Sequence, residues 1–342
     1  MTLKDIAVMA NVSTATVSRV LNDKNTTAAS DSVKQLILKI ADENGYVLST
    51  SKNRAHTSEV PKKFLYCLCA RPYNESKDDS FYDQVIDGIN EYAIQNNYIL
   101  KRRIELFELE DGTIDILLAA DDHSNKNLIA IGRTNKQTEL LLQKSFNTIV
   151  YVSLNKMRIK FDDNFDQIYC DGYEVCKDAF SYLYNLQHRN IALIGQKDDI
   201  RYKGYIDSLQ SYNLPYNKNM FINTNSLTLN GGKLAMQQLL EHKTGVTAVL
   251  CISDRIAIGA INACYTNGLK IPNDISIIGI NDIEMSAFTK PTLSTIHIPL
   301  KTMGMLAAQT LINRINKVHT IPLQISVPYY IQERESSSAC LK

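Results

Sequence analysis

At 342 residues and 38.5 kDa the chain has room for two or three ordinary domains. It is 44% apolar and 21% charged, which excludes a disordered chain, and 37 Lys and Arg against 36 Asp and Glu exclude a polybasic membrane-surface protein. No apolar run approaches the roughly 18 residues of a membrane span, and no secretory signal pattern opens the chain, so a cytoplasmic protein is expected.

The first 50 residues carry three short amphipathic helix patterns and no strand pattern. Leu3, Ile6, Ala7 and Ala10 recur at helical spacing, with Thr2 and Asp5 as a capping box. Asn11-Val12-Ser13 breaks that helix, and Ser13 caps a second one whose apolar face is Val17, Val20 and Leu21. A third helix follows Ser30-Asp31, carries Val33, Leu36, Ile37, Ile40 and Ala41, and has Gly45 placed for a left-handed cap. Residues 47–63 are polar and punctuated by Pro61, which reads as a linker, with 51–63 taken as the hinge.

Strand and helix patterns alternate from 64 to 335. Strands are expected at 64–69, 127–132, 148–153, 167–170, 191–195, 220–222, 246–252 and 275–280. Helices are expected at 81–96, 136–145, about 171–186, 201–211, 231–241, 255–267 and 300–315. Two such β/α runs imply two parallel doubly wound sheets, between which the last helix and a strand-like 321–331 must be shared. The fold expected is an all-α headpiece followed by an α/β core of two doubly wound subdomains.

Within the headpiece, Ala7, Asn11 and Val17 have helix-turn-helix spacing. Small Ala7 allows close helix approach, Asn11 tolerates the positive φ of the turn, and Val17 fills the angle between the helices. The second helix would then present Thr14, Ala15, Ser18 and Arg19 to base edges and phosphates in a major groove. Elsewhere there is no GxGxxG, GxxxxGK[ST], GxSxG or HExxH, so no enzyme is expected. The seven scattered cysteines hold no CxxC pair, and neither a metal nor a cofactor is expected.

The run Thr2-Leu-Lys-Asp-Ile-Ala7, followed by Val12-Ser-Thr-Ala-Thr-Val-Ser-Arg-Val-Leu-Asn22, resembles the opening of the lactose/galactose-repressor family of bacterial transcription regulators. Phe81-Tyr82 with Gly88-Ile89, Ser253-Asp254 with Ile256-Ala257-Ile258-Gly259, and Pro272-Asn-Asp-Ile-Ser276 resemble later family landmarks. Asn281-Asp282-Ile283, Phe288-Thr289 and Pro291-Thr-Leu-Ser-Thr295 are most similar to the evolved β-galactosidase repressor branch. The resemblance implies a core like the periplasmic sugar-binding proteins, with three chain crossings near 160, 290 and 320 and a ligand cleft between the subdomains. It also implies a cytoplasmic homodimer that binds double-stranded operator DNA and is released by a small neutral sugar, a galactoside. A global carbon-catabolite regulator controlled by a phosphorylated carrier protein is the alternative.

Residue by residue, the resemblance assigns operator contact to Thr14, Ala15, Thr16, Ser18, Arg19 and Asn22. Ala15 can only pack against an apolar group such as a thymine methyl. Residues 1–50 hold five basic side chains (4, 19, 24, 34, 39) and five acidic ones (5, 23, 31, 42, 43), so affinity must depend on orientation and dimerisation more than bulk charge. The family's minor-groove leucine falls at Ala55, or at Arg54 one residue earlier, and neither is a good apolar wedge. For the effector, the resemblance assigns Asp79, Phe81, Arg201, Ser253, Asp254 and Asn281. A guanidinium fork at Arg201 suits vicinal hydroxyls or an acid. An aromatic sugar platform of some members falls at Ser226.

Overall fold

The computed structural model describes residues 2–22, 26–43, 63–71, 80–110, 126–161, 163–224 and 226–340. They belong to two compact units, Met1–Pro61 and Lys62–Lys342.

The first unit is three helices, Leu3–Met9, Thr14–Asn22 and Asp31–Glu43. Thr2 opens the first with a reciprocal cap: its backbone N–H donates to Asp5 Oδ2 at 2.8 Å, and the Asp5 N–H donates to Thr2 Oγ1 at 3.3 Å. The bond from the Thr2 backbone, joined by one that Thr2 Oγ1 donates to Asp5 Oδ2 at 2.9 Å, holds the Asp5 carboxyl below its ordinary pKa. Asn11 makes the turn at φ 52°, and Ser13 Oγ accepts the Thr16 N–H at 3.1 Å to start the second helix. Ile6, Ala7, Val17, Val20, Ile37 and Ile40 meet in a small buried core. The expected cap at Gly45 lies outside the described residues.

The second unit contains two six-stranded sheets. One runs β11-β5-β4-β3-β1-β2, from β1 (Lys63–Ala70), β2 (Tyr98–Glu105), β3 (Asn127–Gly132), β4 (Thr148–Ser153), β5 (Phe165–Tyr169) and β11 (Gln324–Ser326). The other runs β12-β10-β9-β8-β6-β7, from β6 (Ile191–Gly195), β7 (Phe221–Asn223), β8 (Ala248–Cys251), β9 (Ser276–Asn281), β10 (Ser294–His297) and β12 (Tyr330–Gln332). Every pairing is parallel except β10 with β12. The central strands are buried on both faces, which is why they read as continuous apolar runs.

The chain passes between the sheets after Tyr169, after His297 and between Ser326 and Tyr330, each time downstream of 160, 290 and 320. The displacement at the first crossing has a simple cause. Residues after β4 first return through β5, which pairs with β4 from Phe165, before the helix Gly172–Asn185 joins the second sheet. The strand-like 321–331 is two strands, β11 in one sheet and β12 in the other.

Helices Ser80–Gln95 and Leu300–Ile315 cross at two glycines on the first sheet. A Cβ at Gly88 would overlap the Lys301 carbonyl oxygen, and one at Gly304 would overlap that of Val85. Gly88→Val is therefore expected to cost about 1–3 kcal/mol by forcing the helices apart. An unchanged urea midpoint would show that the contact can open without cost.

Candidate nucleic-acid face and effector cleft

On the second helix of the first unit, Val17 and Val20 are buried while Thr14, Ala15 and Arg19 are exposed; Thr16 and Ser18 are half-buried. Positions 14, 15, 18 and 19 share one helical face, since residues four apart stand one above the other. Asn22 is the last residue of that helix. Arg54 and Ala55 lie outside the described residues, as does Asp79.

In the second unit, each sheet reverses its strand order beside its first strand, between β1 and β3 and between β6 and β8. Such switch points place ligands beyond the carboxyl ends of the strands. A cleft of about 330 Å³ lies at both. Ala70, Gly132 with Arg133, and Ser153 bound it from the ends of β1, β3 and β4; Gln196, Ser253 and Asn281 bound it from β6, β8 and β9. Phe81 and Leu106 give it an apolar wall. Gly132 stands at φ 99°, and a Cβ there would come within 2.8 Å of the Tyr82 hydroxyl, which donates to the Ala70 carbonyl at 3.0 Å.

Arg201 sits in the first turn of helix Ile200–Ser211 and is buried. Its Nε donates to Asp199 Oδ1 and its Nη2 to Asp199 Oδ2, both at 2.8 Å, and Nη1 donates to the Ile252 carbonyl at 2.6 Å. Three of the five guanidinium N–H groups are thereby committed, and the fork is fixed in orientation before any ligand arrives. Burial works against the Asp199 carboxylate, but the Arg201 charge and hydrogen bonds outweigh it and hold its pKa low. Arg133 reaches from the opposite sheet to Asp198, donating through Nη1 to its carbonyl at 2.9 Å and through Nη2 to its carboxylate.

Asn281 is 8% exposed, stands at φ 117°, and its Oδ1 has no hydrogen-bond partner. A buried acceptor left unpaired costs about 1–3 kcal/mol, so the cleft holds ready a demand for a donor. The strained turn is held by its neighbours. Asp282, at φ 56°, accepts from Arg334 Nη2 at 2.7 Å and makes a 2.8 Å hydrogen bond with His297 Nδ1.

Of the expected effector residues, Phe81, Arg201, Ser253 and Asn281 line this one cleft. Asp254 does not, and its expected ligand contact is corrected. It is fully buried, and its carboxylate accepts from the Ile283 N–H (2.8 Å), Ser286 Oγ (2.9 Å) and Thr295 Oγ1 (2.5 Å). Those bonds tie the turn after β9 to β10, so Asp254 positions Asn281 from behind. Arg133, Asn155, Asp199 and Arg255 also border the cleft and were not expected. Only Asp199 left a trace in sequence, as an N-cap two residues before Arg201, where its Oδ1 accepts the Arg201 N–H at 2.9 Å.

The comparisons with known proteins agree with this division. Residues 2–49 match the model for bacterial regulatory proteins of the lacI family, and residues 180–337 match a periplasmic binding protein-like domain. The chain is 29% identical over 331 residues to the probable HTH-type transcriptional repressor ExuR of Bacillus subtilis (strain 168), covering 93% of each. It is 29% identical over 323 residues to the ribose operon repressor of Haemophilus influenzae, covering 92% of each. The structure of the transcriptional regulator CelR–cellobiose complex superposes with a TM-score of 0.71 at 20% identity, over 98% of this chain and 100% of that one. A helix-turn-helix unit joined in one chain to a periplasmic-binding-protein-like core defines a DNA-binding transcription regulator. The chain belongs to the lacI family of these regulators. Among the described residues, no helix is long and apolar enough to cross a membrane, and no cluster of three metal-ligating side chains occurs.

Proposed function

We propose that this protein is a cytoplasmic, homodimeric repressor of sugar-utilisation genes, released from its operator when a small sugar fills the cleft of the second unit. The observation that carries the reading is the cleft itself. The pre-oriented Arg201 fork, the helix-capping Ser253 and the orphaned Asn281 Oδ1 converge there from three elements, with Phe81 also lining the cleft. Donors and acceptors above an apolar wall suit a ring with hydroxyls on its rim and C–H groups on its face. The repressor names of the two relatives, one of them a ribose operon repressor, support the same class. Galactosides are the specific sugars that the sequence resemblance favours. No observation favours control by a phosphorylated carrier protein.

Operator contact is assigned to Thr14, Ala15, Thr16, Ser18, Arg19 and Asn22, and two headpieces of a homodimer would occupy two half-sites. Arg54 and Ala55 remain the proposed minor-groove positions. Arg19→Ala is expected to weaken specific binding by about 1–3 kcal/mol through loss of a groove contact. Footprinting of the purified chain on genomic fragments, with and without sugars that raise its melting temperature, tests the whole reading. Protection of a pseudo-palindrome that a stabilising sugar removes is the expected result. Sequence-independent protection at moderate salt would sink it.

A further inference from the structure

Beside the cleft lies an open groove, and Asn155, Asp198 and Asp199 border both spaces. Tyr173 and Tyr202 lie along that groove, together with Lys156, Lys197 and Lys203.

The charge is unevenly distributed. The groove and cleft together are bordered by three lysines and by Arg133, Arg201 and Arg255, against three aspartates: Asp171, Asp198 and Asp199. The lining therefore carries three net positive charges, in a chain whose total is +1. Each carboxylate is already engaged. Asp171 accepts the Tyr173 N–H at 3.1 Å, Asp198 is held by Arg133, and Asp199 by Arg201. None of the three lysines pairs with a carboxylate among the described residues; Lys156 and Lys203 instead lie over the Tyr169 and Tyr173 rings at 5.6 and 5.7 Å. All three lysines are exposed, so together they attract an anion through a field that salt screens.

We infer that the effector is an acidic sugar, whose ring occupies the cleft and whose anionic group reaches the Lys156–Lys197–Lys203 groove beside it. The inference rests on the sugar reading above and narrows it, replacing the neutral sugar of the sequence analysis. Hydroxyls of the ring would satisfy Asn281 Oδ1, and the ammonium groups would hold either a phosphate monoester or a carboxylate as point charges.

The test is calorimetric titration and thermal shift of the full chain with matched probes. Galactose and glucose are each compared with their 6-phosphates and with galacturonate and glucuronate. An acidic probe is expected to bind at least about tenfold more tightly than its neutral parent, with a preference that fades as salt rises. The K156Q/K197Q/K203Q triple variant should lose that preference, while a triple Lys→Arg variant keeps it; melting of the free variants checks that both fold. Whether phosphates or uronates bind identifies the acid. Neutral sugars binding as tightly as their acidic derivatives, or an unaltered preference in the glutamine variant, would overturn the acidic assignment and leave the sugar reading standing. If operator DNA binds and none of these carbohydrates does, both readings fall.

Discussion

Between about pH 4 and about pH 7.5, the stability of Asp254→Asn relative to the parent chain is expected to rise by about 2–3 kcal/mol. Burial pushes the Asp254 carboxyl up to about 6, against three donated hydrogen bonds that favour the carboxylate, and Asp282 adds repulsion. The folded pKa is therefore above the unfolded value. The group's contribution is fully present below the unfolded pKa and is lost as pH rises through about 6. An asparagine has no such titration. It can also keep the geometry: Oδ1 can accept from Ile283 and Ser286, and Nδ2 can donate to Thr295 Oγ1, whose hydroxyl rotates. Denaturant unfolding of both chains across that pH range measures the difference directly. A constant difference would mean that Asp254 ionises in the folded core at its ordinary pKa.

The same residue shows how far sequence reading reached. Ser253-Asp254 was legible as the end of a buried strand facing a cleft, because an apolar run ended there on polar side chains. Which of the two faced the ligand was not legible. Ser253 turns to cap its helix at the cleft, whereas Asp254 points under β9, where Gly279 leaves room for its carboxylate. That choice depends on a glycine more than twenty residues away in sequence, which no local pattern encodes. Strand β2 is hidden in the sequence for another reason. It is an edge strand carrying Lys101, Arg102 and Arg103, and charges on an edge blur the alternation that marks a half-buried strand. Strand β10, Ser294-Thr-Ile-His, is short and polar, and its serine and threonine are buried only because Arg334, Ser336 and Asp254 satisfy them. The central strands were legible because burial on both faces leaves long apolar runs. Arg133 was invisible, since its partner Asp198 follows a strand of the other sheet.

Arg201→Ala should lower the stability of the second unit by about 3–5 kcal/mol, because it leaves Asp199 buried and without its bidentate partner. This loss depends on pH in a defined direction. In the parent chain Arg201 keeps the Asp199 pKa low, so the stability of the pair is present above the unfolded pKa and lost as pH falls through the folded one. In the alanine variant burial is opposed only by the residue-201 backbone N–H and the Arg133 charge, so Asp199 takes up a proton more readily and the deficit should shrink as pH falls. A defect in sugar response in this variant alone would therefore mix unfolding with lost recognition. Arg201→Lys separates them. An ammonium still neutralises Asp199, but it cannot reproduce the paired Nε and Nη2 bonds and also donate to the Ile252 carbonyl. The lysine variant is expected to melt closer to the parent chain and bind operator, yet to need at least about tenfold more sugar for release, through loss of oriented hydrogen bonds. Operator titrations over a range of sugar concentrations read that shift. Release at the parental sugar concentration would remove Arg201 from the effector site and leave it a purely structural clamp on Asp199.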